Sequence, residues 1–186
     1  IELDKLGYIP VNALFQTTQP HIYAAGDVIG PPALASTSVE QGRLAVRNAL
    51  MIKSHHFPEF FPYGIYTIPE ISSVGPTEEE LTNLGVHYEV GRALYSEMAR
   101  GPIAGDTQGM IKLIFHAQTL EMLAVHIIGT MATELIPIGQ MAINLRVKAD
   151  YFVDTIFNYP TFAEGYRIAA LNGLNRLEGP GTAKWS

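Results

Sequence analysis

Polar and apolar residues alternate over short stretches in the second half of the chain and apolar residues recur at helical spacing elsewhere, so the sequence predicts a mixture of strands and helices. Residues 86–93, 109–115 and 122–129 read as three β-strands, the last two joined by the polar turn 116–120, and they predict an antiparallel sheet. Residues 132–147 carry Leu135, Ile138, Ala142 and Leu145 at helical spacing, and Pro137 inside that stretch removes the hydrogen bond to Thr133. Earlier, residues 33–51 predict a helix whose apolar face, Val39, Ala45/Val46 and Ala49/Leu50, packs against a sheet. Thr77-Glu78-Glu79-Glu80 is a capping box that opens a short helix, which Gly85 ends. Residues 66–68 and 71–74 are β-prone around Pro69, which points to an edge strand or a bulge. The last part, 150–177, predicts a short helix and a final amphipathic one, followed by a flexible tail, 178–186.

Two prolines and several aromatics in His55-His56-Phe57-Pro58-Glu59-Phe60-Phe61-Pro62 interrupt these patterns and mark a domain boundary. The 186 residues, 47% hydrophobic and 16% charged, suit one large or two small globular domains. A net charge of −6, with twelve Lys and Arg scattered singly, argues against a nucleic-acid-binding surface. No apolar run reaches the roughly 18 to 20 residues of a membrane helix, so no membrane partner is expected and the cytoplasm is the default location. The chain has no cysteine, which excludes a redox-active dithiol on it, and the six histidines have no ligand spacing, so no metal is expected.

The candidate chemistry begins in His21-Ile22-Tyr23-Ala24-Ala25-Gly26-Asp27, a β-rich run that ends in Gly-Asp and passes through a Pro/Gly turn into the helix. Gly26 would let another group approach the backbone, and Asp27 would offer a carboxylate acceptor to a sugar or polyol hydroxyl at the edge of a sheet. The unpaired first-turn N–H groups around Leu34 to Thr37 would favour an electron-rich oxygen. Tyr-Ala-Ala-Gly-Asp-Val, the proline turn, Leu34-Ala35 and Gln41-Gly42-Arg43-Leu44-Ala45 resemble the second flavin-binding motif of the flavoprotein disulfide reductases. That resemblance implies that Asp27, beside Gly26, binds the ribityl chain of FAD and that the backbone of Leu34 and Ala35 faces the pyrimidine edge of the flavin.

Dinucleotide enzymes hold pyrophosphate on a glycine-rich turn, and the chain contains no Gly-x-Gly-x-x-Gly. The resemblance therefore implies roughly the last two-fifths of such a flavoprotein. Its fold class would be α+β, with residues 1–58 the C-terminal part of an FAD-binding Rossmann-like domain and residues 59–177 a dimerisation domain with an antiparallel sheet, making a homodimer. The family's C-terminal His-x-x-x-x-Glu, whose histidine serves the redox dithiol, matches Tyr159 and Glu164 here. A tyrosine, with an ordinary pKa near 10, cannot shuttle protons near neutral pH as an imidazole can. The substitution, with Asn158-Tyr159-Pro160-Thr161 and the segment 64–75, resembles the branch of the family that exchanges hydride between NADPH and NAD through FAD. A dihydrolipoamide dehydrogenase-like or other pyridine nucleotide-disulfide reductase, such as a glutathione reductase, and a non-catalytic dimerisation or scaffold domain are the alternatives. Thr161-x-x-Glu164 after Pro160 also reads simply as a helix start, with Thr161 as N-cap and Glu164 at N3.

Overall fold

Alternation of apolar and polar side chains along residues 88–128 produces a sheet with two unlike faces. β3 (Tyr88–Leu94), β4 (Met110–His116) and β5 (Met122–Ile128) form an antiparallel meander. β1 (Tyr63–Ile65) and β2 (Ile71–Val74) add to it beyond β5, giving the order β1-β2-β5-β4-β3. The computed structural model describes residues 1–53 and 55–178, in two compact units that divide between Glu59 and Phe60, and the sheet belongs to the second. The antiparallel sheet expected from the sequence is present. Residues 66–68, expected in a strand, instead form the connection from β1 to β2. Pro69 has no N–H for a ladder, Thr67 Oγ1 donates to the Pro69 carbonyl at 2.7 Å, and Ile68 is fully exposed.

One face of the sheet carries the core. Ala93, Ile111, Leu113, Phe115, Val125 and Ile127 are buried beneath α4 (Ala132–Asn144), α5 (Ala149–Asp154) and α6 (Gly165–Glu178), while the short α3 (Arg100–Ala104) lies in the connection from β3 to β4. α6 lies so close to β3 that a Cβ on Gly91 would overlap the Ala169 carbonyl oxygen, so glycine is what lets helix and strand meet. Tyr95 stacks on Phe162 with ring centroids 4.4 Å apart. Pro137 lies inside α4, and a side chain from α6 hydrogen-bonds the backbone of that helix on either side of it. The Gly139 N–H donates to the Tyr166 hydroxyl at 3.1 Å, and that hydroxyl donates to the Leu135 carbonyl at 2.8 Å. A buried phenol thus stands between two groups that are i and i−4 partners in a helix. Burial pushes the Tyr166 hydroxyl pKa up, so it stays protonated and able to donate.

The other face is covered over Val90, Ile114 and Ala124 by Leu81 of α2 (Glu78–Asn83). The expected capping box is formed, with the Glu80 N–H on Thr77 Oγ1 and the Thr77 N–H on Glu80 Oε2 at 2.8 Å. Beside it, Lys112 Nζ donates to Glu78 at 2.9 Å and Arg92 stands 3.8 Å from the same oxygen. The Lys112 hydrogen bond holds the Glu78 carboxyl below its usual range. His126 is half-buried among these groups, and burial, then the Lys112 charge, push its pKa down.

In the first unit, α1 (Ala35–Ala49) forms close to where its pattern predicts, but the buried side is not the apolar stripe. Thr37, Gln41, Leu44 and Ala45 are buried, whereas Val39, Val46 and Leu50 are exposed. The polar pair goes inward because the preceding loop satisfies it. Gln41 Oε1 accepts the Gly26 N–H at 2.7 Å, and Thr37 Oγ1 donates to the Pro32 carbonyl at 2.9 Å. Residues 21–25, expected as a strand, contribute only an isolated bridge between Gln16 and Tyr23. Among the described residues of this unit no further strand is present, and one bridge does not make a ladder. Glu178 ends α6, and residues 179–186 of the expected tail lie outside the described residues.

Candidate functional site

The loop from Gly26 to Leu34 presents the first set of candidate groups. Gly26 has φ 81° and ψ −158°, and an added Cβ would come within 3.2 Å of Ser38 Oγ, so conformation and space both favour glycine. Asp27 does not end at a sheet edge, as expected from the sequence. It opens a short 3₁₀ turn, Asp27–Ile29, because the segment before it lacks strand partners. Its side chain is exposed, and among the described residues its carboxylate has no hydrogen-bond partner. Leu34 is the extended N-cap residue of α1, and no side chain caps the helix. The Leu34 N–H donates to the Pro32 carbonyl at 2.5 Å, and the Thr37 and Ser38 hydroxyls turn back to the carbonyls of Pro32 and Leu34, so the hydroxyls leave the first-turn N–H groups from Ala35 onward uncapped. Ala35 is exposed at that first turn. Within this unit, then, lie a free carboxylate acceptor and a helix end with free N–H donors.

The second set lies between α5 and α6. Tyr159 is 71% exposed. The Glu164 N–H donates to Thr161 Oγ1 at 3.3 Å, and the Thr161 hydroxyl donates to the Asn158 carbonyl at 2.7 Å. But α6 begins only at Gly165, so these bonds, with the Gly165 N–H on the Phe162 carbonyl, close a turn ahead of the helix in place of the expected N-cap at Thr161. Among the described residues the buried Glu164 Oε2 has no partner. Tyr159 and Glu164 flank the same turn, but no hydrogen bond joins them. An exposed phenol and a carboxylate with a buried, unpaired oxygen do not constitute a proton relay on this chain.

Residues 61–170 match the sequence profile described as "Pyridine nucleotide-disulphide oxidoreductase, dimerisation domain", well over half of the chain. The chain belongs to the pyridine nucleotide-disulphide oxidoreductase family. A second profile, described as "Pyridine nucleotide-disulphide oxidoreductase", matches residues 1–42, which contain Gly26, Asp27, Leu34 and Ala35. Among relatives in this family, the soluble pyridine nucleotide transhydrogenase of Escherichia coli (strain SMS-3-5 / SECEC) is 51% identical over 181 residues, covering 95% of this chain and 39% of that protein. The same protein from Escherichia coli O6:K15:H31 is 51% identical over 183 residues. The chain thus spans about two-fifths of the length of these curated relatives. Similar solved structures include LpdA from Mycobacterium tuberculosis, at TM-score 0.84 and 26% identity, covering 96% of this chain and 38% of that one. The HOCl-induced flavoprotein disulfide reductase RclA from Escherichia coli matches at TM-score 0.85 and 25% identity, covering 91% of this chain and 40% of that one.

Two residues to which the sequence assigned no role, Gln41 within the quoted motif and Tyr166, fix the backbone around the candidate sites. Gln41 fixes the Gly26 backbone, and the signal for it was a polar side chain at the helical spacing of Thr37 and Ala45. Tyr166 ties the start of α6 to α4, and no local pattern marks a bond to residues 27 and 31 positions away.

Proposed function

We propose that this chain serves an FAD-dependent oxidoreductase that transfers hydride between NADPH and NAD, an NAD(P)+ transhydrogenase. The observation that carries the proposal is Tyr159, exposed and outside any proton relay, at the position where disulfide-reducing members are expected to hold a histidine. Identity of 51% to relatives named soluble pyridine nucleotide transhydrogenase supports the same choice. Hydride exchange needs stacking geometry and a protected pocket, not an acid–base partner for a thiol.

The first unit suits FAD. Asp27 supplies an unpartnered acceptor for the ribityl hydroxyls and Gly26 keeps the turn beside it open; of the expected Leu34 and Ala35 backbone donors, Ala35 offers a first-turn N–H to the pyrimidine edge, whereas the Leu34 N–H is held by the Pro32 carbonyl. When bound, FAD supplies the carrier between the two nicotinamides. Tyr159 shapes the flavin pocket at the subunit boundary, and Glu164 is its positional partner without an acid–base task. Residues 1–58 are taken as part of the FAD domain and residues 59–177 as the dimerisation domain of a cytoplasmic homodimer. Among the described residues no helix is long and apolar enough to cross a membrane.

The test is steady-state kinetics of the FAD-loaded enzyme with Tyr159→Phe. Losing one hydroxyl that only shapes the pocket should cost at most about tenfold in transhydrogenation. A hundredfold or greater fall in kcat with FAD still bound is the scale of general acid–base catalysis and would refute the pocket-shaping role. Wild-type turnover of a disulfide or dihydrolipoamide faster than of the nicotinamide pair would overturn the transhydrogenase proposal itself.

A further inference from the structure

Gln41 lies on the buried side of α1, 4% exposed, and its Oε1 accepts the Gly26 N–H at 2.7 Å across fifteen positions of sequence. A buried amide is costly unless it is bonded, and an apolar side chain would fill the same volume, so the group that Gln41 serves accounts for its polarity. That group is backbone in a special conformation. Gly26 has φ 81°, and without a side chain it has little of its own to hold that conformation. Its carbonyl accepts the Ile29 N–H at 3.0 Å, while its N–H is held by Gln41. Ser38, one turn earlier on the same face of α1, commits its hydroxyl to the Leu34 carbonyl and stands where a Cβ on Gly26 would come within 3.2 Å. Gly26 is thus seated against the face of α1 that carries Ser38 and Gln41, and it is bonded to that face through the Gln41 amide.

The residue after Gly26 is Asp27, with its free carboxylate, and the first turn of the same helix carries the uncapped Ala35 N–H. Ala35 and Gln41 are six residues apart, about 9 Å along a helix axis. A helix of this length is a stiff spacer, so the bond from Gln41 to Gly26 fixes how the Asp27 carboxylate stands relative to the Ala35 N–H. We propose that Gln41 is a positioning residue for FAD, acting through Gly26 to hold the ribityl acceptor Asp27 and the pyrimidine-edge donor Ala35 at one spacing. The role rests on the FAD reading above and adds to it a residue that need not touch the cofactor. Two groups held in advance at the spacing a ligand needs do not have to be ordered when it binds. The Ala35 donor at the helix N-terminus also favours negative charge, so its placement bears on how readily a flavin beside it accepts electrons.

The test is FAD affinity and the reduction potential of the bound flavin, measured on the FAD-loaded enzyme with Gln41→Met and Gln41→Asn. Methionine keeps the length and much of the volume but is a poor acceptor, and asparagine keeps the amide but is one methylene short. Each variant should raise the FAD dissociation constant tenfold or more and move the flavin potential to more negative values. Leu44→Val thins the buried side of the same helix, at a residue 1% exposed, without removing the bond to Gly26. It should lower the melting temperature and leave the flavin potential at the wild-type value. An equal shift of potential in Leu44→Val would reduce the effect to lost stability and overturn the role of Gln41. Gln41 variants with wild-type affinity and potential would overturn it as well, while leaving the FAD reading standing. A wild-type enzyme that holds no FAD would remove that reading and this role together.

Discussion

His126 shows how one residue's surroundings set a pH response. It faces Lys112 on β4, Glu78 and Glu80 on α2 and the backbone at Pro76, and burial followed by the Lys112 charge keeps its folded-state pKa below the ordinary 6.5. The unfolded chain therefore binds a proton more readily than the folded one as pH falls below that ordinary value. Stability contributed by neutral His126 is fully present above about pH 6.5 and is lost as pH falls from there toward its lowered pKa. Urea unfolding at pH 7.5 and 5.5 should give a lower midpoint at the acidic value, and His126→Asn should flatten the difference. An unchanged difference in His126→Asn would assign the pH dependence to other groups. Nothing in the sequence around His126 announces this, because its neighbours arrive from β4, from α2 and from the connection that precedes α2.

At the scale of elements, the inserted hydroxyl of Tyr166 is the most exposed to a single substitution. Tyr166→Phe keeps the buried ring but leaves the Gly139 N–H and the Leu135 carbonyl without their partner. An unsatisfied buried polar group costs roughly 1–3 kcal/mol, so the urea midpoint should fall with an unchanged slope. A midpoint equal to wild type would mean that α4 closes its own ladder once the phenol is gone. The elements themselves were largely legible. The capping box at Thr77 and Glu80, the meander of β3, β4 and β5 and the helix around Pro137 all follow from local pattern and turn chemistry. What local pattern could not supply was orientation. In α1 the apolar residues Val39 and Val46 are exposed, and Gln41 goes inward to serve Gly26, a partner fifteen residues away. The β-prone residues 66–68 turn instead of pairing, because Thr67 and Pro69 bond locally.

For the whole molecule, the chain carries groups suited to part of a dinucleotide and not to all of it. Asp27 and the first turn of α1 were readable as ligand groups from residue type and order, whereas the unpaired Glu164 oxygen depends on packing that a linear motif does not encode. With no Gly-x-Gly-x-x-Gly in the sequence, nothing in it matches the usual cradle for pyrophosphate. Calorimetric titration of FAD into this chain should therefore show weak binding or none, and a submicromolar dissociation constant would contradict that division of labour.

The strand order has a kinetic side. Phe115 and Met122 pair across β4 and β5 only seven positions apart, whereas Val74 of β2 pairs with Val125 of β5, 125 − 74 = 51 positions away. Closing the longer span costs about 1.8 kcal/mol more chain entropy than the shorter one, on logarithmic loop scaling. The β4–β5 hairpin can assemble from contacts already near one another, while β1 and β2 must be recruited across the intervening chain. Entropy thus favours an order of events in which the sheet grows outward from that hairpin and the β1–β2 edge joins late.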